Sequence, residues 1–176
     1  DYLDWLLATL RRHQIDLLIP GIEADMYHWV EQVPVIRATG ALPLLNAPEL
    51  ISACKDKWWF YQRLGAINMS CAIASSLDMD FGVLKKKFGL PFLLKPRRGF
   101  GAKGIVRITS EELFEQHRGD IGSLLMAQPI VGSDDEEFTT SAFCDGRGGH
   151  FACMTLRRKL SRDGFTDKAE VTDTEE

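Results

Sequence analysis

The residues best suited to chemistry lie in one run, Phe92-Leu93-Leu94-Lys95-Pro96-Arg97-Arg98-Gly99-Phe100-Gly101-Ala102-Lys103-Gly104-Ile105-Val106-Arg107-Ile108. Gly99, Gly101 and Gly104 make a G-x-G-x-x-G pattern. A dinucleotide loop with this spacing needs a strand before it and a helix N-terminus after it, because the helix end holds the pyrophosphate. Here both flanks are apolar, and the downstream one is β-branched and alternating. The pattern therefore predicts strand, glycine turn, strand. In such a hairpin flap, backbone N–H groups can approach a polyphosphate with no side chain in the way. Lys95 places an ammonium group just upstream, so a nucleoside triphosphate is the first ligand to expect.

Other residues of the right chemistry follow a fixed order. Lys57 comes directly after Asp56 on a predicted helix. Leu125-Met126-Ala127-Gln128-Pro129-Ile130-Val131-Gly132 reads as a strand running into a turn, and Glu137 closes the acidic run Asp134-Asp135-Glu136-Glu137. Arg157-Arg158-Lys159 is a basic strand end, and Lys168 is a weaker candidate for the same work. Each has a bland competitor. Lys57 competes with a surface lysine, Glu137 with a solvated carboxylate, and the glycines with an ordinary tight turn. For Arg157 and Arg158 a solvent-facing strand end competes evenly. Lys95, directly after an apolar run, has the least ordinary setting.

The elements that must position these residues can be read from periodicity. Tyr2 to Gln14 has helical spacing, with Leu3, Leu6, Leu7 and Leu10 on one side and cations at its C-terminal end. Ile15 to Pro20 reads as a buried parallel strand, Glu23 to Val33 as a helix, and Leu42 to Leu45 as a second strand. Together they predict part of a βαβ layer. A helix is expected over Glu49 to Leu64, with Pro48 near its first turn and Trp58-Trp59-Phe60-Tyr61 packed in a core. Phe81 to Phe88 should be a helix stopped by Gly89 with a solvated lysine face, and Thr109 to Phe114 a helix capped by Ser110 or Thr109. Phe138 to Cys144 and His150 to Leu160 should form a hairpin. Asp163 to Glu176, polar and acidic, reads as a loop or frayed end.

Composition narrows the function. The 176 residues suffice for one good core or two small lobes. The net charge of -4 and pI near 5.6 argue against nucleic acid as the main partner. Cys54, Cys71, Cys144 and Cys153 form no C-x-x-C pair, so neither a zinc site nor a disulfide framework is expected, and buried free thiols in a reducing cytoplasm are. The uncharged run Leu64 to Leu77 is too short for a membrane span. Both ends read as cut from a longer polypeptide.

In their order, Lys57, the Lys95–glycine-flap signature, the Ala127–Ile130 segment and Glu137 resemble the ATP-grasp superfamily, in its carbamoyl-phosphate-synthase-like branch. The resemblance spans nearly the whole chain. It implies an α/β (α+β) fold: residues 1–46 as a partial pre-ATP-grasp βαβ layer, 47–126 as the lid subdomain with its lead-in helix, and 127–176 as the start of an incomplete core subdomain. It further implies roles. Lys95 and Lys57 would meet the nucleotide phosphates, and Gly99, Phe100, Gly101 and Ala102 would close over them. Gln128, Pro129 and Ile130 would form the adenine hinge, with Gln128 where the family has an acidic residue. Glu137 would accept from the ribose hydroxyls, and Arg157 and Arg158 would bind phosphate or substrate carboxylate. ATP and Mg²⁺ would be the cofactors and a small carboxylate the substrate. The assembly would be cytoplasmic, with a homo-oligomer open. The E-[IVL]-N-x-R type metal motif of the family does not occur here, so catalytic and metal residues are expected beyond Glu176, and this piece should be inactive alone.

Three rivals are separable. A protein-kinase-like phosphotransferase carries its lysine on the strand after the flap and adds H-R-D and D-F-G motifs beyond it, whereas here Lys95 precedes the flap and neither motif follows it. A Rossmann enzyme requires a helix after Gly104. A non-catalytic module that uses a nucleotide-like pocket for binding or assembly predicts no ATP binding even when the chain is extended past Glu176.

Overall fold

A computed structural model describes residues 1–69, 73–99, 101–133, 135–161 and 164–172. The chain divides into two compact units, Asp1–Phe60 and Tyr61–Glu176.

In the first unit, helix α1 (Tyr2–His13) starts at a capping box between Asp1 and Asp4 and ends in a left-handed Gln14. Its stripe buries Leu6 and Leu10 against Trp29, Ile36 and Ala41. Trp29 sits on α2 (Glu23–Trp29), and Ile36 on α3 (Val33–Arg37). The Trp29 indole N–H donates to the Tyr2 hydroxyl at 3.2 Å, and that hydroxyl donates to Asp25 at 3.0 Å, tying α1 to α2. Strands β1 (Leu17–Leu18) and β2 (Leu42–Pro43) pair in parallel across the α2–α3 crossover, the βαβ geometry expected. Pro43 is tolerated because the Leu42 and Leu44 N–H groups make the bonds to β1. Three expectations differ in detail. The helix expected over Glu23 to Val33 ends at Trp29, and a second short one follows over Val33–Arg37. The strand over Ile15 to Pro20 shrinks to two residues, with Leu17 and Ile19 exposed, because a single strand among the described residues pairs with it. The helix over Glu49 to Leu64 breaks into α4 (Pro48–Cys54) and α5 (Lys57–Ala66). The break falls where the buried Asp56 carboxylate accepts from the Trp58 N–H at 3.0 Å, a local bond that competes with the helical ladder. Helix α5 has no buried residue and Trp59 is 62% exposed, so the aromatic cluster is not core. Cys54, Cys144 and Cys153 are exposed free thiols rather than buried ones, and Cys71 lies outside the described residues.

The second unit holds two antiparallel sheets. Helix α6 (Phe81–Phe88) has the expected bounds: Asp80 accepts from the Val83 N–H, and Gly89 stops it at φ 76°. Strand β3 (Phe92–Pro96) lies between β4 (Val106–Ile108) and β5 (Leu125–Pro129). Phe92, Leu94, Ile108, Leu125 and Ala127 share one face of this sheet and pack with Leu84 of α6 and Phe114 of α7 (Glu111–Glu115). Phe114 lies 5.6 Å from Phe81 and edge-on to Phe92 at 6.2 Å. The second sheet has order β6 (Glu137–Cys144), β7 (His150–Leu160), β8 (Thr166–Thr172). Strand β8 corrects the expected loop after Asp163: its polar residues carry little strand signal alone, and pairing with β7 supplies the order. No helix among the described residues is long and apolar enough to cross a membrane.

Candidate functional site

Strand pairing puts the predicted lysine and glutamine on one surface. In β3, Leu94 and Phe92 face the apolar core, so Lys95 and Leu93 face the other way. Lys95 is opposite Met126, and Leu93 is opposite Gln128 on β5 and Arg107 on β4. Lys95, Arg107 and Gln128 therefore share one face of the three-stranded sheet with Leu93 and the buried Met126. Arg107 was not among the sequence candidates. Its signal was the alternation Val106-Arg107-Ile108, which turns one cation away from two core residues.

Gln128 is only 3% exposed, and its amide N–H donates to the Ser75 hydroxyl at 3.0 Å. The neighbouring Ala127 exchanges both backbone bonds with Ser76, at 2.9 Å each. Ala127 thus turns its N–H and C=O away from β3, and by alternation Gln128 turns its own toward β3. Along this edge the Pro129 carbonyl is the next backbone group to face outward, and Pro129 has no N–H to leave unpaired. Ile130 follows the strand and is partly exposed.

The flap joins β3 to β4. Gly99, Gly101 and Gly104 all have positive φ, at 103°, 67° and 76°, which explains the need for glycine at each. The antiparallel β3–β4 pairing places a strand, not a helix, after Gly104, and this removes the Rossmann alternative. Phe100 lies outside the described residues. Ala102 meets the β7–β8 turn: a Cβ added to Gly164 would stand 2.4 Å from the Ala102 Cβ and 2.6 Å from its backbone nitrogen.

The basic strand end and Glu137 lie together on the second sheet. Glu137 and Arg158 are register partners, with Arg158 Nη2 3.5 Å from Glu137 Oε2. Arg158 Nη1 donates to the Thr166 hydroxyl at 3.2 Å, and its buried Nε has no hydrogen-bond partner among the described residues. Arg157 donates through Nε and Nη2 to the Asp135 carbonyl at 3.1 and 2.9 Å, clasping the loop before β6. Arg157, Arg158 and Lys168 line one depression of about 280 Å³ with Asp135 and Glu170.

Lys57 opens α5 in the chain's other half and is half-buried. Burial pushes its ammonium below the usual lysine range, while the Glu23 and Asp56 carboxylates pull the other way. Among the described residues no group of three or more His, Cys, Asp or Glu could hold a metal ion.

Solved structures share the fold of this chain. The chain matches carboxyaminoimidazole ribonucleotide synthase from Aspergillus clavatus, solved with ATP, at TM-score 0.56 and 15% identity, over 86% of this chain and 39% of that one. It matches N5-carboxyaminoimidazole synthetase from Staphylococcus aureus, solved with ADP, at TM-score 0.56 and 16% identity, over 91% and 41%. Rhizobium etli pyruvate carboxylase matches at TM-score 0.60 and 13% identity, over 93% and 15%. The chain has the ATP-grasp fold. It spans well under half the length of these ATP-grasp relatives. No family profile and no curated protein sequence matches it. The α+β class expected from the sequence holds.

Proposed function

We propose that the chain is the ATP-binding portion of an ATP-dependent ligase that joins a carboxylate to an amine or thiol through an acylphosphate. The observation that carries this reading is the sheet face bearing Lys95, Arg107 and Gln128 beside a glycine flap, within an ATP-grasp fold. On this reading residues 1–46 are the tail of a preceding layer, 47–126 the lid with its lead-in helix, and 127–176 the start of the core.

Each role follows from local chemistry. Lys95 supplies a point charge for a phosphate. Gly99, Gly101 and Ala102, with Phe100 between them, present backbone N–H groups to the β- and γ-phosphates. The Pro129 carbonyl accepts from the adenine amino group, and Ile130 flanks the ring. The donor to the purine must come from the chain after Pro129, since the Ala127 N–H is bonded to Ser76. Glu137 accepts from ribose hydroxyls once it leaves Arg158, and the orphan Arg158 Nε then takes an anionic oxygen.

The described residues offer no fit for Mg²⁺, so no step is routed through it. Without a counter-ion for the transferred phosphoryl group, this chain alone should show no ligase turnover. Clear ADP release in a coupled assay would overturn that expectation. The site itself is tested by calorimetric titration with ATP. Lys95→Ala should weaken binding by about tenfold or more, the loss of one charge-assisted contact of roughly 1.5–3 kcal/mol. Equal affinity in wild type and variant would refute the assignment.

A further inference from the structure

A cavity of about 420 Å³ lies behind the flap. Pro96, Val106 and Leu125 line it, and alternation places these three on the core face of the sheet with Phe92 and Leu94. It is therefore one sheet-thickness away from Lys95 and Gln128. Leu124 extends its apolar floor. The rim is polar, formed by Arg97, Arg98, His117 and Asp120. Arg97 is almost wholly buried and its guanidinium donates to the Gly122 carbonyl, which anchors it in the wall. Arg98 is exposed at the mouth. The flap base forms the remaining side: a Cβ on Gly104 would stand 2.9 Å from Pro96 Cγ.

We propose that this cavity binds a small organic carboxylate with a compact apolar body. A size of a few hundred Å³, an apolar floor and a few convergent polar groups are what such ligands need. The carboxylate meets the arginines, where planar guanidinium groups match its two oxygens. The body rests on Leu124, Leu125 and Val106. A neutral apolar compound forgoes the charge-assisted bonds a carboxylate makes to a guanidinium, and inorganic phosphate leaves the floor wet. Because Pro96, Arg98 and Gly104 belong to the hinge of the flap, an occupant there braces the flap from behind. The proposal stands whether or not the other face binds ATP.

The test is amide chemical-shift titration of the isotope-labelled chain with benzoate and with its neutral isostere benzamide. Saturable shifts are expected at Gly104, Val106, Ser123 and Leu124, with benzoate binding about fivefold tighter or more. Arg98→Gln should reduce benzoate affinity by about the same factor and leave benzamide unchanged. Ser123→Phe, which fills the cavity from an exposed position, should remove the shifts with both probes. Equal affinity for the two probes, shifts confined to other residues, or Ser123→Phe binding as wild type does would overturn the proposal.

Discussion

Replacing Gly164 by alanine tests whether the β7–β8 turn holds the glycine flap. Two separate costs arise. Gly164 has φ 78°, where a Cβ costs about 1–2 kcal/mol. The added Cβ would also meet Ala102 at 2.4 Å, so turn and flap must part by about 1 Å to reach the 3.4 Å of ordinary contact. Gly146 isolates the first cost, having φ 73° and nothing within 4 Å of its would-be Cβ. Both Gly146→Ala and Gly164→Ala should therefore lower the urea midpoint of the second sheet, Gly164→Ala by at least as much because it also carries the clash with Ala102. Only Gly164→Ala should loosen the flap. Each kcal/mol of lost flap restraint raises local amide exchange about fivefold, read at Ala102, Lys103 and Gly104 by hydrogen exchange. In the proposed ligase portion, Gly164→Ala should also weaken ATP binding while Gly146→Ala does not. Identical flap exchange in the two variants would refute the reasoning, since the close approach would then restrain nothing.

Phe114→Ala should cost about 3–5 kcal/mol by opening a cavity between Phe81 and Phe92, measured by urea unfolding; a loss below about 1 kcal/mol would mean the aromatic cluster relaxes to fill the space. Lys57 has a folded pKa below 10.5, so the unfolded chain binds more protons between the depressed value and 10.5, and stability should rise with pH across that window. Lys57→Met should flatten that rise relative to wild type in urea midpoints taken at several pH values, and equal slopes would sink the burial argument. Ser110→Ala should destabilise α7 by about 1 kcal/mol through loss of the bond from the Leu113 N–H, seen as faster exchange at that amide.

Local chemistry was legible where one residue decides one bond. Gly89 ends α6 as expected because a glycine stop acts within a turn of itself. The alternation Val106-Arg107-Ile108 announced a strand after Gly104. The break at Asp56 was hidden because an aspartate inside a helix-like pattern reads the same whether its carboxylate faces water or takes the Trp58 N–H. Trp59 and the cysteines misled because a residue's type gives its preference for burial, while a neighbouring element must exist to bury it. Strand β8 was missed for the converse reason: Asp167, Lys168 and Glu170 have poor strand propensity until β7 offers a ladder.

By itself the sequence determined the flap, its upstream lysine and the order of the surrounding elements, because glycine spacing and hydrophobic period act over a few residues. Tertiary structure alone decided which side chains share a face. Register on β3 put Arg107 and Gln128 with Lys95, closed the Ala127 backbone with Ser76, paired Glu137 with Arg158 and set Gly164 against Ala102. Those partners lie far apart in the chain. Their meeting depends on strand pairing, and a one-residue change of register would turn each of them to the opposite face.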